Sequence, residues 1–261
     1  MRMISDISYC SEAGDRGCGD LYLPERVSTD TPVALTIHGG GWASMDRTSF
    51  AGVAEFLCGL GFAAFNINYR LLDRGPWPLC GDDCLRAADF VLNGTFPGLD
   101  GCDRRRLFII GASAGGHLAL MTGLRLPEEK VSGIVSLSGV DDMDFYPPPG
   151  AEEFRLRFFG GKPTAAQADA ANPVKLVRAS QPPVLCTHTV YDTVVSCDAA
   201  ESFVARCREA GARIDYFRYN RSGDGHCLWI PGSSPHRLLP ELENAVAGFV
   251  AACGLAGRLS P

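Results

Sequence analysis

The feature that most restricts the fold of this chain is a five-residue turn between an apolar strand and a helix. Leu107–Ile110 is an uninterrupted apolar run, Gly-Ala-Ser-Ala-Gly follows at 111–115, and a helical pattern begins at Ala114. Small residues on both sides of Ser113 permit a turn sharp enough to lift its Oγ to the carboxyl edge of a sheet. A dinucleotide-binding turn would instead need a glycine at that position. The pattern therefore predicts Ser113 as a nucleophile on an α/β scaffold.

Apolar runs alternate with amphipathic stretches along most of the 261 residues, which is typical of β-α units on a mainly parallel sheet. We expect a mostly parallel central sheet flanked by helices on both faces, with residues 4–24 adding one or two antiparallel edge strands. The predicted strands are Val33–Ile37, Phe62–Asn68, Leu107–Ile110, Gly133–Ser138, Val184–Thr189 and Ile214–Tyr219. The predicted helices are Asp46–Leu60, Leu79–Leu92, a helix from Ala114, Ala199–Glu209 and Arg237–Ala252. The whole chain, 1–261, is predicted to be one domain.

A glycine run follows the first of these parallel strands. His38-Gly39-Gly40-Gly41-Trp42 comes directly after Val33–Ile37. Acyl transfer passes through a tetrahedral oxyanion that needs preorganised N–H donors, and a glycine run leaves its amides sterically open. We expect the oxyanion hole to consist of the backbone N–H groups of Gly40, Gly41 and Ala114.

A catalytic base should follow the serine in the order Ser, Asp, His. Among the five histidines, His226 lies in a glycine-rich loop after the last predicted strand and is the predicted base. His188 lies inside an apolar strand, which indicates a core residue. His236, near the final helix, is the alternative base.

The acid should come from the loop after the penultimate strand, where Asp192 follows Val184–Thr189. Asp192 is therefore the predicted acid. Asp198 and Asp224 are alternatives, although Asp224 lies only two residues from His226 and is badly placed to accept from its Nδ1–H.

The segment from Asp141 to Lys175 interrupts the β-α alternation with three consecutive prolines at 147–149 and five aromatic residues. Loops of this length in compact domains are often functional. We expect this insertion to shape the substrate pocket, with Phe145 and Tyr146 lining it together with Trp42. Phe158 and Phe159 are expected to pack the insertion onto the body of the domain.

Composition narrows the classes of partner. A net charge of −6 argues against a general affinity for nucleic acid or anionic membranes. No run reaches the ~18 apolar residues of a membrane span, and the N-terminus lacks the apolar core of a signal peptide. The prediction is a cytoplasmic protein, or a secreted one if a leader precedes this chain. Eleven scattered cysteines indicate reduced thiols, and neither a metal nor an organic cofactor is expected.

Four motifs together resemble the acetyl-esterase/lipase branch of the α/β-hydrolases. They are His38-Gly-Gly-Gly-Trp42, Asn68-Tyr-Arg-Leu71, Gly111-Ala-Ser-Ala-Gly-Gly-His117 and Tyr191-Asp192-x-x-Val195. The branch includes hormone-sensitive-lipase-like esterases and bacterial feruloyl and acetyl-xylan esterases, and the similarity runs from about residue 18 to 253. Without a long N-terminal cap, the chain is more similar to the compact members. The resemblance implies an α/β-hydrolase fold and a short-chain acyl ester or acylated sugar as substrate.

The same scaffold carries other functions. Kynurenine formamidases and prolyl-type peptidases cleave amides with the same machinery, so an amide substrate is the alternative. A small-molecule receptor of this fold is a further alternative, although a receptor is expected to lose the serine or the histidine, and this chain keeps both.

Overall fold

One eight-stranded sheet organises the computed structural model, which describes residues 1–94, 98–147, 151–223 and 225–255. In the order β1-β2-β4-β3-β5-β6-β7-β8, β1 and β2 run antiparallel to their neighbours and the pairs from β4 to β8 are parallel. The predicted fold class and the antiparallel edge are confirmed. The strands are β1 (Arg2–Ser8), β2 (Cys18–Leu23), β3 (Pro32–Ile37), β4 (Ala63–Ile67), β5 (Asp103–Ala112), β6 (Val131–Leu137), β7 (Val184–Thr189) and β8 (Ile214–Tyr219).

Helices cover both faces of the sheet and bury two separate apolar clusters against it. The α-helices are α1 (Ala51–Gly59), α2 (Leu79–Asn93), α3 (Ala114–Gly123), α4 (Glu152–Phe159), α5 (Ala165–Ala170), α6 (Cys197–Glu209) and α7 (Pro240–Ala252). One cluster packs α1 and α7 against strand residues such as Ala34, and the other packs α2, α3 and α6 against Val33 and Leu35. Successive strand residues therefore point to opposite faces, as the pleat requires. Within the described ranges, no helix has the length and apolar character needed to cross a membrane.

Two predicted helices begin later than the sequence pattern indicated. The side chain of Asp46 accepts the N–H of Thr48 and starts a short 3-10 turn, so α1 begins only at Ala51. The final helix begins at Pro240, because the preceding residues fold back on themselves. In this 228–239 loop, the Ile230 N–H donates to the Arg237 carbonyl at 2.8 Å, and the Leu239 N–H donates to the Leu228 carbonyl at 2.9 Å.

Candidate active site

The serine turn has the strained geometry that its sequence predicts. Ser113 lies between β5 and α3 with φ 56° and ψ −123°, and its N–H donates to the Leu137 carbonyl at 2.9 Å. A Cβ on Gly111 would lie 2.0 Å from the Gly115 carbonyl oxygen, and a Cβ on Gly115 would lie 2.2 Å from that of Ile37. Both glycines are therefore required for the turn to close. A non-glycine residue at positive φ is uncommon and is found where surrounding structure holds it.

The predicted acid and base meet at the carboxyl edge of the sheet. Asp192 follows β7, His226 follows β8, and their Oδ2 and Nδ1 atoms lie 2.8 Å apart. The Oδ1 atom accepts the backbone N–H groups of Val194 and Val195 at 2.8 and 2.9 Å. A carboxylate can only accept, so Nδ1 of His226 carries the hydrogen and Nε2 keeps its lone pair. This is the tautomer that a general base for a serine requires.

Asp192 stays ionised although its side chain is fully buried. Burial alone opposes the charged form, but hydrogen bonds from His188, His226 and the Val195 amide outweigh it and hold the pKa of Asp192 well below its ordinary value. The carboxylate is therefore available to stabilise an imidazolium at His226.

Ser113 and His226 line one cavity of about 280 Å³ together with the three glycines that follow His38. The structure thus brings Ser113, His226 and Asp192 into one site. The alternative acid Asp198 is exposed and accepts from Ser196 Oγ at the start of α6, away from the histidine. The other alternative acid, Asp224, lies outside the described residues.

The glycine loop presents free amides beside the serine. The Gly40 carbonyl accepts the N–H groups of Ala43 and Ser44, both at 3.0 Å, which closes a tight turn. Gly40 and Gly41 have φ of 98° and 58°. Within the described ranges, neither of their N–H groups donates a hydrogen bond. Ala114 is the first residue of α3, so its N–H has no acceptor inside the helix. The three predicted oxyanion donors therefore lie at or beside the cavity with their hydrogens unused.

Tyr69 holds this loop, a role that sequence reasoning did not assign. Its buried Oη lies 3.0 Å from the carbonyl oxygen of His38 and 3.1 Å from that of Gly39, and its ring stacks on His38 at 4.3 Å. Burial lowers the pKa of His38 to about 3, so this imidazole is neutral. The available signal was the Asn68–Leu71 motif, whose tyrosine lies two residues after the end of β4.

The structure corrects the predicted substrate-binding residues. Trp42 is fully buried and packs on His117, Tyr146, Phe154 and Phe158, with ring centroids 4.9 to 5.9 Å apart. Tyr146 is half-buried against Trp42, and Phe145 is 43% exposed. None of the three lines the cavity at Ser113. The described part of the 141–175 insertion therefore packs against Trp42, and its aromatic rings pack on one another.

Another set of side chains forms the cavity wall. Trp229 and His236 stack at 5.2 Å, and Phe50 meets Trp229 edge-on at 6.0 Å. Both stacked rings come from the 228–239 loop. His236, the alternative base, thus lies in the site as part of its wall, and Asp192 pairs with His226 instead. The other side chains of the wall are Met45, Ser49, Val194 and Leu228.

The cysteines are all free thiols, six of them buried. In the described part of the chain, no three His, Cys, Asp or Glu side chains come together as candidate metal ligands.

Comparison with known proteins identifies the family. A model of the BD-FAE family matches residues 19–206, which is more than half of the chain. The chain belongs to the BD-FAE family. This family placement agrees with the α/β-hydrolase fold that the sequence predicted.

Two relatives and one solved structure illustrate the similarity. The versiconal hemiacetal acetate esterase stcI of Emericella nidulans is 37% identical over 125 residues, covering 46% of this BD-FAE chain and 41% of that protein. Esterase LipC of Mycobacterium tuberculosis is 27% identical over 218 residues, covering 76% and 53%. The chain thus spans about half the length of these relatives. A truncated carbohydrate esterase from gut microbiota shares the fold, with a TM-score of 0.81, 20% identity and coverage of 97% and 96%.

Proposed function

We propose that this protein is a serine carboxylesterase that acts through an acyl-enzyme on Ser113. The observation that carries the proposal is the 2.8 Å hydrogen bond from His226 Nδ1 to the buried Asp192, at the cavity that also holds the strained serine. Because Nδ1 of His226 is bound to Asp192, Nε2 is free to accept the proton of Ser113, which lines the same cavity. The family and the esterases among its relatives agree with ester hydrolysis.

The first half of the reaction forms the acyl-enzyme. His226 Nε2 takes the proton of Ser113 Oγ as that oxygen attacks the ester carbonyl, and Asp192 stabilises the resulting imidazolium. The carbonyl oxygen becomes an oxyanion, which accepts from the N–H groups of Gly40, Gly41 and Ala114. When the tetrahedral intermediate collapses, His226 returns the proton to the leaving alcohol.

The second half uses the same groups with water. His226 deprotonates a water molecule, the hydroxide attacks the acyl carbon, and Ser113 leaves with the proton from the imidazolium. Free carboxylic acid and the resting serine result. The N–H groups of the glycine loop need not reorient during the reaction, because Tyr69 and the Gly40 turn already hold the loop in place.

Cavity size favours a short acyl group. A volume of about 280 Å³ lies at the lower limit of the roughly 300–1,000 Å³ typical of drug-sized ligands. Phe50, Leu228 and Trp229 make the wall largely apolar. The names of two similar proteins, an acetate esterase and a carbohydrate esterase, support short acyl esters and acylated sugars as the substrate class.

A pair of substrates tests ester against amide chemistry. Turnover should be measured with p-nitrophenyl acetate and with N-formylkynurenine at equal concentration. We expect the ester to have the higher kcat/KM. A higher kcat/KM for N-formylkynurenine would show that the protein is an amide hydrolase.

Ser113→Ala is the control for both substrates. Loss of a triad nucleophile typically costs on the order of 10⁶-fold in kcat. The variant should keep the far-UV circular dichroism and melting temperature of the wild type, because alanine is as small as the serine it replaces. A Ser113→Ala protein that retained more than a few per cent of wild-type turnover would contradict the proposed nucleophile.

A further inference from the structure

A second histidine faces the catalytic acid. His188 Nε2 lies 3.3 Å from Asp192 Oδ2, the oxygen that accepts from His226, and 3.0 Å from the Val195 carbonyl oxygen. The side chain of His188 is fully buried. The mechanism described above gives this imidazole no role, although it touches the same oxygen as the base.

The hydrogen on His188 is fixed by its neighbours. Both atoms near Nε2, a carbonyl oxygen and a carboxylate oxygen, can only accept hydrogen bonds. Nε2 therefore carries the hydrogen and donates it to the Val195 carbonyl, while Asp192 Oδ2 lies 3.3 Å from the same nitrogen. The opposite nitrogen, Nδ1, is buried and has no hydrogen-bond partner among the described residues. The orientation of the ring is consequently set by its hydrogen bond to the Val195 carbonyl, which holds Nε2 beside the acid.

Charged groups surround His188 on several elements. His188 shares the β7 face with Cys186, in the apolar cluster that packs on α6. Its register partner on β8 is Arg218, which forms an ion pair with Glu201 of α6 at 3.0 Å.

After β6, Asp141 accepts from Ser136, and Asp142 accepts from Asn172 and Ser202. Burial opposes a charge on His188, but Asp192 and Asp141 outweigh it and raise the pKa of His188. Both the nearby carboxylates and the hydrogen-bond geometry therefore favour a donor at this nitrogen.

We propose that His188 is a positioning residue of the active site, whose Nε2–H restrains Asp192 Oδ2 and competes with His226 for that oxygen. The inference rests on the triad of the proposed function. A carboxylate oxygen that accepts from two donors holds each of them less strongly than an oxygen that accepts from one. His188 therefore keeps the acid in place while it limits how strongly Asp192 stabilises the imidazolium of His226.

Removing the donor should change two measurable quantities. Without His188, Asp192 stabilises the protonated base more strongly, so the acid limb of the kcat/KM profile moves to higher pH. The carboxylate also loses a restraint, so kcat falls. For His188→Leu we expect a displacement of about half a pH unit or more and a loss of about tenfold in kcat.

The conservative variant separates a hydrogen bond from mere packing. The amide nitrogen of glutamine lies about as far along the side chain as Nε2 of histidine, whereas that of asparagine corresponds to Nδ1. His188→Gln should therefore restore the position of the acid limb and most of kcat. His188→Asn should behave like His188→Leu in both respects.

His117 offers a matched control. It is another fully buried histidine whose Nε2 donates to a backbone carbonyl, that of Ala171 at 2.8 Å, and its ring contacts Trp42 and Trp77 with no contact to Asp192. His117→Leu should lower the melting temperature by an amount similar to His188→Leu and leave the acid limb where it is.

A readout without turnover keeps this inference separate from the proposed function. In the Ser113→Ala protein, NMR titration of His226 should show the same displacement on adding His188→Leu, whether or not any ester is cleaved. If the wild-type protein cleaves no ester, the proposed function is wrong, and the NMR titration still tests the role of His188. The inference is overturned if His188→Leu lowers only the melting temperature. Should that variant not fold, equal profiles for His188→Gln and His188→Asn would overturn it.

Discussion

Replacing the proposed catalytic acid, Asp192, by its amide gives a sharp test of the site. In Asp192→Asn, the amide oxygen can still accept the N–H groups of Val194 and Val195, which donate to Oδ1 at 2.8 and 2.9 Å. The amide NH₂ group then replaces Oδ2 and faces His226 Nδ1 at about the present 2.8 Å. Two donors cannot bond each other, so His226 must move its hydrogen to Nε2.

The expected loss in kcat follows from this move of the hydrogen from Nδ1 to Nε2 of His226. With the hydrogen on Nε2, His226 has no lone pair for the proton of Ser113, and the loss in kcat should be on the order of 10⁴-fold. This corresponds to about 5.5 kcal/mol in the activation free energy. The fold should survive, because the two backbone hydrogen bonds are kept and His188 retains the Val195 carbonyl as an acceptor.

The assay is hydrolysis of p-nitrophenyl acetate near pH 8, corrected for spontaneous hydrolysis, together with the melting temperature of each variant. Asp198→Asn is the matched control, since Asp198 is exposed and should keep wild-type kcat. Asp192→Asn that retained a tenth of kcat would refute the tautomer argument. If Asp224→Asn proved the crippling change instead, the acid would be Asp224.

Three further predictions concern packing, specificity and pH. Gly115→Ala should prevent folding, because its Cβ would lie 2.2 Å from a carbonyl oxygen of β3, whereas Gly248→Ala, with open space in α7, should raise the free energy of unfolding by about 1 kcal/mol in urea titrations. Trp229→Ala should shift the highest kcat/KM among p-nitrophenyl esters towards longer acyl chains, and Phe145→Ala should leave the ranking of these esters unchanged. If Phe145→Ala changed the ranking and Trp229→Ala did not, the insertion would line the pocket. Burial raises the pKa of Asp141 to about 6, so the folded state loses stability as pH rises from about 4 to about 6. Relative to wild type, Asp141→Asn should therefore gain about 2 kcal/mol of unfolding free energy between pH 4 and pH 7, and a constant difference would contradict the raised pKa.

Short-range rules explain why the sharp turn at Ser113 and the sheet were predictable from sequence. A steric contact inside the turn fixes Gly111, and the parallel direction of the strands follows from the regular β-α alternation. The predicted acid and base depend only on which loop follows which strand. Parallel strands bring those loops to one edge, so Asp192 and His226 meet without further information.

The cavity wall was not predictable in this way. Trp229 enters it because the 228–239 loop folds back and its pairing with Leu238 orients the ring, which depends on tertiary contacts. A Cβ on Gly52 of α1 would lie 2.3 Å from the His236 carbonyl oxygen, so a distant helix also fixes this loop. The position of His188 beside Asp192 likewise has no local signature, because an apolar strand predicts only that its side chain is buried.

The burial of Trp42 has a consequence for making chimeric enzymes of this family. This indole directly follows Gly41, one of the proposed oxyanion donors, and its far side lies against Phe154 and Phe158 of α4. A transplanted insertion that brought smaller residues at those two positions would leave a void under the indole. The ring would then shift into it and carry the neighbouring amide with it. An insertion exchanged to alter substrate preference therefore has to keep aromatic residues at positions 154 and 158. Without them, the recipient loses catalytic rate, whatever its new substrate preference is.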